Sequence, residues 1–185
     1  MARRLGLLDD GGLIVRGAPF RSLISDYPMS VATRSEIQGL ITAALGGRAA
    51  EGGIRTPDQT TLIGEQDLEY ASTLAESFVK HWGFGTSLQT RSLRSDATDA
   101  SYEDRFSPEL MRRIEREVSD LISRSLDQAA TVLNEDLRGF AILTAALQER
   151  AVLLGSMINS ILTEGLTAKT GRLLAADEAK TNDAA

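Results

Sequence analysis

The stretch SPELMRRIEREVSDLISRSLDQAATVLNEDL at 107–137 constrains the fold more than any other part of the chain. It opens with Ser107, Pro108 and Glu109, which are an N-cap hydroxyl, a proline at the first helical position and a first-turn acid. Apolar residues then recur at helical spacing and predict a helix of about seven turns with one buried face. These residues are Met111, Ile114, Val118, Leu121, Ile122, Ala129, Val132 and Leu133.

Four other segments have the same period. The capping box T-R-S-E at 33–36 predicts a helix that runs to about Ala50 and stops at Glu51-Gly52-Gly53. The segment GEQDLEYASTLAESFVKHWGFG at 64–85 predicts a second helix, ended by Gly83. Further helices are predicted from Leu137 to Leu147 and over 155–164.

Two adjacent glycines, Gly46 and Gly47, fall inside the first of these predicted helices. Each costs about 1 kcal/mol relative to alanine in a helix interior. The pair therefore indicates either a close approach by another backbone, which we favour, or a bend in the helix. It is not a phosphate-binding loop, because the G-K-[ST] ending and the preceding strand are missing.

The chain divides into three parts on these patterns. Residues 1–32 contain the short apolar runs LGLL and GLIV around Asp-Asp-Gly-Gly, which predict strand-like or extended pieces. Residues 33–166 form the helical domain, interrupted by a polar loop at 84–105, and residues 167–185 are predicted to be a disordered tail. The expected fold is mainly α, bundle-like, with a small β-like N-terminal segment.

Composition narrows the functional classes. The chain has 185 residues, a net charge of −6 and no cysteine. The acidic charge argues against nucleic-acid binding, and the missing cysteines exclude disulfides, thiolate chemistry and Cys-based zinc sites. No apolar run approaches the roughly 20 residues that span a bilayer, and MARRLGLLDDGG lacks the apolar core of a signal peptide.

Two residues on the helix at 64–85 are candidates for metal chemistry. His81 is the only histidine, and a lone histidine near a helix end is more often structural or solvated. Asp67 lies in the first helical turn, where the positive end of the helix dipole stabilises an acid whether or not a metal is present. The charged residues of 109–124 alternate away from the apolar stripe and are interpreted as a solvated, salt-bridged face.

Taken in order, three segments resemble the peptidase domain of the FtsH family of ATP-dependent zinc metalloproteases. They are LITAALGGRAAEGG at 40–53, GEQDLEYASTLAESFVKHWGFG at 64–85 and SPELMRRIEREVSDLISRSLDQAATVLNEDL at 107–137. The resemblance covers about 31–150, which is two-thirds of the chain. It implies a hydrolase that uses zinc, is supplied by an ATPase module outside this chain, and degrades unfolded or tagged proteins. It also implies hexameric self-association, no nucleic-acid partner, and a location on the cytoplasmic side with any membrane anchor outside this chain.

The same resemblance assigns roles to individual residues. Asp67 falls on the aspartate that completes the family's zinc coordination, and Glu51 falls on an acid close to the metal centre. It also implies that His81 is not a ligand. The chain departs from the family pattern at Gly52 in place of a second acid, and at Gln66 in place of asparagine.

The largest departure is the missing H-E-x-x-H motif, which would supply two histidine ligands and the general base. The expectation is that the chain is the C-terminal part of a longer peptidase, with no catalytic residue of its own, and that the isolated chain is inactive. The other explanation for the missing H-E-x-x-H motif is that the chain comes from a lineage that lost the metal site. The alternative function is a non-catalytic peptidase-like helical module for oligomerisation or adaptor binding. A helical DNA-binding regulator fits the acidic charge poorly.

Overall fold

A computed structural model describes residues 13–23, 28–54, 58, 61–88, 107–161 and 163. Its helices are α1 (Phe20–Leu23), α2 (Arg34–Ala44), α3 (Gly46–Ile54), α4 (Glu65–Lys80), α5 (Pro108–Glu135), α6 (Leu137–Arg150) and α7 (155–161), and its strands are β1 (Leu13–Val15) and β2 (Val152–Leu154). The prediction of a mainly α fold is confirmed. The described residues fall into two compact units, one of 19–133 and one of 13–18 with the residues from 134 onward.

The core of the first unit is the contact between α2 and α4. Each helix buries apolar residues at helical spacing, so two stripes of the kind predicted from the sequence face each other. The buried residues are Ile37, Leu40, Ile41, Ala44 and Leu45 from α2 and its C-cap, and Ala71, Leu74, Ala75, Phe78 and Val79 from α4. The α2 start also agrees, because Thr33 and Glu36 form the predicted capping box.

The predicted helix over 33–50 is two helices, α2 and α3, which meet at Leu45. A Cβ placed on Gly47 would meet no atom within 4 Å, so the preference for a close backbone approach is wrong at that position. The observed feature is an interruption of the helix at Leu45, and the two glycines are the first residues of α3.

The long helix α5 spans the range predicted for it, with Pro108 as its first residue and Ser107 accepting a hydrogen bond from Leu110 N at 3.2 Å. It buries Ile114, Leu121 and Ala129. Asn134-Glu135-Asp136 ends it as expected, and Asp136 then caps α6 by accepting from Gly139 N at 2.9 Å.

The second unit contains a strand pair that the sequence did not predict. β1 pairs with β2 in antiparallel register, with Leu13 opposite Leu154 and Val15 opposite Val152. Part of the GLIV run is therefore a strand, but its partner lies far along the chain, while the LGLL run falls outside the described residues. Within the part of the chain that the structure describes, no helix combines the length and apolar character required to cross a membrane.

Candidate functional site

Asp67 lies in the first turn of α4 and makes a contact that its neighbours in sequence do not explain. Its Oδ1 accepts a hydrogen bond of 2.6 Å from the backbone N–H of Phe20, at the start of α1. Among the described residues, none donates a hydrogen bond to Oδ2. The carboxylate is thus held at one oxygen, and its second oxygen has no partner in this part of the protein.

The environment of Asp67 disfavours its charge. Burial of the half-buried side chain raises the pKa of Asp67 above its ordinary value, and the hydrogen bond from Phe20 lowers it by less. A first-turn acid exposed to water would show no such burial effect. A bound cation would stabilise the charged form of a carboxylate in such partly buried surroundings. Acids with a raised pKa are also enriched at functional sites.

Aromatic and cationic side chains surround this end of α4. The Phe20 ring lies 6.5 Å from the Tyr70 ring, and the Arg21 guanidinium lies 5.8 Å from the Tyr70 centroid. Arg21 and Tyr70 also line a groove of about 1000 Å³ along α4, together with Met29 and Trp82. Trp82 lies at helical spacing from Phe78 and Val79, which predicts that it is buried with them, but it is 40% exposed.

Glu51, the second residue that the resemblance points to, has a connecting role. Its Oε1 accepts a hydrogen bond from the Thr61 hydroxyl, and its Oε2 lies 3.6 Å from Arg48 Nη1. Thr61 directly precedes the 3₁₀ turn Leu62–Gly64 that leads into α4. Glu51 therefore fixes the chain as it approaches the turn that carries Asp67.

His81 lies at the other end of α4. It is the C-cap, its N–H donates to Ser77 O at 2.9 Å, and its side chain is exposed. A rise of about 1.5 Å per residue separates it from Asp67 by roughly 21 Å along the helix. The two side chains are too far apart to bind one metal ion.

The described residues do not complete a metal site. Zinc in proteins takes three or four ligands. Among the residues with a described position, no group of three or more His, Asp or Glu side chains is arranged to hold a metal ion. Asp67 alone does not meet the requirements of a zinc site.

Glu117 on α5 makes several hydrogen bonds that the sequence analysis did not predict. Its Oε1 accepts from both the backbone N–H and the hydroxyl of Thr86, and its Oε2 accepts from Ser87 N at 3.0 Å. Burial raises the pKa of Glu117, but these hydrogen bonds outweigh burial and lower it overall. One signal was available: Glu117 falls between Ile114 and Leu121 on the buried stripe, where an acid needs partners.

The charged residues of α5 also differ from the predicted salt-bridged face. Arg112 lies 3.8 Å from Glu109. Arg113, Arg116 and Arg124 make no ion pair with the described residues, and they line a cleft with Arg34 of α2. The sequence showed that these residues are exposed but not that a second helix brings a fourth arginine beside them.

Comparison with known proteins assigns this chain to a family of peptidases. A sequence model of peptidase family M41 matches residues 13–161. The chain therefore belongs to peptidase family M41, and the predicted FtsH-like zinc metalloprotease family is confirmed.

Individual relatives agree with that assignment. The chain is similar to an ATP-dependent zinc metalloprotease FtsH of Neorickettsia risticii, at 32% identity over 130 residues, which is 70% of this chain and 20% of the relative. It is similar to the ATP-dependent zinc metalloprotease YME1L of Drosophila melanogaster, at 25% identity over 135 residues, 73% of this chain and 18% of the relative. An FtsH of Parabacteroides distasonis is 28% identical over 132 residues, 71% of this chain and 19% of the relative. The chain thus spans about a fifth of the length of the curated relatives it matches.

Proposed function

We propose that this chain forms the C-terminal part of the peptidase domain of an ATP-dependent zinc metalloendopeptidase, and that Asp67 supplies one carboxylate ligand to the zinc. The supporting observation is the state of that carboxylate. The hydrogen bond from Phe20 N–H at 2.6 Å orients Oδ1, while Oδ2 receives no hydrogen bond from the described residues. Carboxylates that bind a metal are usually oriented by hydrogen bonds. Here the hydrogen bond at Oδ1 would orient Oδ2 toward the metal.

The remaining ligands lie outside these 185 residues in this proposal. An H-E-x-x-H helix supplies two histidines and the general base, and a further module hydrolyses ATP to deliver unfolded or tagged proteins. The assembly is a homo-oligomer, hexameric by resemblance, on the cytoplasmic side of any membrane to which it is anchored. Asp67 and its Phe20 contact are this chain's contribution to the metal centre.

Glu51 is a positioning residue in the same proposal. It does not bind the metal. Its hydrogen bond from Thr61 and its pairing with Arg48 hold the connection that enters α4. Loss of the Glu51 carboxylate would loosen the first turn of α4 and, with it, the aim of Asp67.

One observation favours a second candidate, a non-catalytic helical module for oligomerisation or adaptor binding. Asp67 already has a structural task, because it joins α1 to α4, and the described residues contain no cluster able to hold a metal. A peptidase-like fold that has lost its metal site would retain the same contact.

Reading the coding sequence in frame upstream of Met1 separates these candidates. The protease proposal expects H-E-x-x-H there, and expects the joined polypeptide to cleave casein until zinc is removed by a chelator. The isolated chain should bind zinc poorly and cleave nothing, so zinc-dependent casein cleavage by the pure chain would refute the placement of the other ligands. Absence of H-E-x-x-H upstream would favour the helical module.

A further inference from the structure

Four arginines line one open cleft of about 400 Å³ in the first unit, and we call it the arginine cleft. Arg34 comes from α2, and Arg113, Arg116 and Arg124 come from α5. The three α5 positions are separated by three and by eight residues, which places them on one face of the helix. Two helices therefore bring four guanidinium groups to one place on the surface.

Contacts hold three of the four guanidinium groups in position, and the described carboxylates neutralise none of the four. Arg34 lies over the Phe78 ring, 5.6 Å from its centroid. Arg116 Nε donates to Arg112 O at 3.3 Å, and Arg124 Nε donates to Asp120 O at 3.1 Å. No ion pair joins any of the four to a carboxylate of the described residues, so their terminal N–H groups are available to a ligand.

The cleft has an excess of positive charge, whereas the whole chain has an excess of negative charge. Its lining contains four arginines and two acids, Glu117 and Asp120, in a protein of net charge −6. The Glu117 carboxylate is occupied by the backbone and side chain of the turn at 86–87. These hydrogen bonds come from neutral groups and leave Glu117 charged, so four positive and two negative side chains give the lining a net charge of +2. The cleft therefore attracts anions, although the chain as a whole is negatively charged.

The groups beside the arginines distinguish between anionic ligands. A guanidinium fork binds carboxylates and phosphates equally well. The cleft also offers acceptors, namely Asp120, the Gln38 amide and the Thr86 hydroxyl. A peptide backbone has N–H groups to donate to these acceptors, whereas the phosphates of a nucleic-acid backbone offer only acceptors. A volume of this size, within the ordinary range of about 300–1000 Å³ for ligand sites, accommodates a few peptide residues.

We infer that the arginine cleft binds an acidic segment of a polypeptide, whose carboxylate side chains pair with Arg34, Arg113, Arg116 and Arg124. This inference is independent of the zinc proposal, because it requires neither a metal nor peptide hydrolysis. It adds a docking site for acidic sequence on the side of the first unit formed by α2 and α5.

Fluorescence anisotropy of a labelled hexaglutamate peptide tests the inference on the full 185-residue chain. Hexaglutamate should bind and should be released as salt is added, since exposed ion pairs are screened. Hexaglutamine and a hexathymidine oligonucleotide should bind much more weakly. No binding of hexaglutamate at low salt, or tighter binding of the oligonucleotide, would overturn the inference.

Charge reversal locates the binding. The double variant Arg113→Glu/Arg116→Glu should weaken hexaglutamate binding by at least about tenfold, because two attractive contacts become repulsive. The control is Arg112→Glu, a single charge reversal one position away and outside the cleft lining, which should weaken binding by no more than about twofold. If the glutamates unfold the protein, as judged by circular dichroism, Arg113→Gln/Arg116→Gln replaces them with the same expected direction. Equal weakening by the Arg112 control would contradict the inference.

The acidic segment belongs to a separate polypeptide, because two copies of a chain with a net charge of −6 repel each other. Sedimentation velocity tests this choice of partner: the wild type and the double variant should show the same association state. Self-association that is present in the wild type and in the Arg112 control but lost in the double variant would overturn it.

Discussion

At the scale of single residues, two acids show how the same side-chain chemistry is used in opposite ways. Burial outweighs one hydrogen bond at Asp67 and raises its pKa, while several hydrogen bonds outweigh burial at Glu117 and lower its pKa. The protein therefore disfavours the charge of Asp67 and favours the charge of Glu117. Glu117 therefore stabilises the fold through its charge, whereas the contact of Asp67 with Phe20 does not compensate for the burial of its carboxylate.

The favoured charge of Glu117 gives a stability prediction with a defined pH dependence. A folded-state pKa below the unfolded value stabilises the protein above the unfolded pKa of about 4.3, and that contribution is lost as pH falls through the folded pKa. Glu117→Gln should therefore lower the free energy of unfolding by about 1 kcal/mol at neutral pH, because charge-assisted hydrogen bonds are lost. The difference from wild type should vanish in acid, where Glu117 itself is protonated.

Urea unfolding at neutral and acid pH measures this difference. Glu115→Gln is the matched control, since Glu115 is exposed on the same helix, and it should change stability little at either pH. If Glu117→Gln lowers the free energy of unfolding as much at acid pH as at neutral pH, the carboxylate charge does not hold the turn at 86–87.

At the scale of elements, the junction between α6 and β2 depends on an unusual backbone conformation. Ala151 caps α6 with φ of 60°, in the left-handed region, and donates from its N–H to Leu147 O at 3.0 Å. Glycine adopts this conformation without the Cβ clash. Ala151→Gly should therefore stabilise the protein by about 0.5 to 1 kcal/mol. This figure is the backbone strain that is relieved in the folded state minus the conformational entropy that glycine adds to the unfolded state.

The thermal midpoint and the urea midpoint should both rise in Ala151→Gly. Ala145→Gly, at an exposed position inside α6, is the contrasting variant and should destabilise by about 1 kcal/mol. If Ala151→Gly destabilises as much as Ala145→Gly, the left-handed cap is not a source of strain.

The elements also show which parts of the fold the sequence could predict. Helix starts at Thr33 and Ser107 were predictable because their signals lie within a few residues of each other. The pairing of β1 with β2 was not, because a three-residue apolar run carries no information about a partner far along the chain. The contact of Asp67 with Phe20 was missed for the same reason, since it joins residues 47 positions apart.

The candidate site was predictable only through resemblance. The position of Asp67 in a first helical turn is equally consistent with an acid that stabilises the helix dipole, so spacing alone could not assign it a metal. The arginine cleft was not predictable from spacing either, because Arg34 is far in sequence from the three arginines of α5 that it joins. Local periodicity predicts which face of a helix is buried, whereas a site depends on which helices lie side by side in the fold.

At the scale of the whole molecule, the chain is a member of peptidase family M41 that spans about a fifth of its relatives' length. Under the proposed function, Asp67 is one ligand of a metal whose other ligands the described residues do not contain. We therefore predict that Asp67 matters for metal binding rather than for folding. Asp67→Asn separates these roles, because the amide oxygen can still accept from Phe20 N–H while the ligand charge is removed.

The most direct test is the zinc content of the polypeptide that joins this chain to its upstream in-frame sequence, measured after dialysis for wild type, Asp67→Asn and Glu65→Gln. Glu65 is the matched control, since it is an exposed acid in the same turn of α4. We expect Asp67→Asn to stay folded and to lose most of its zinc, while Glu65→Gln keeps a full complement. A folded Asp67→Asn protein that retains as much zinc as the wild type would contradict it.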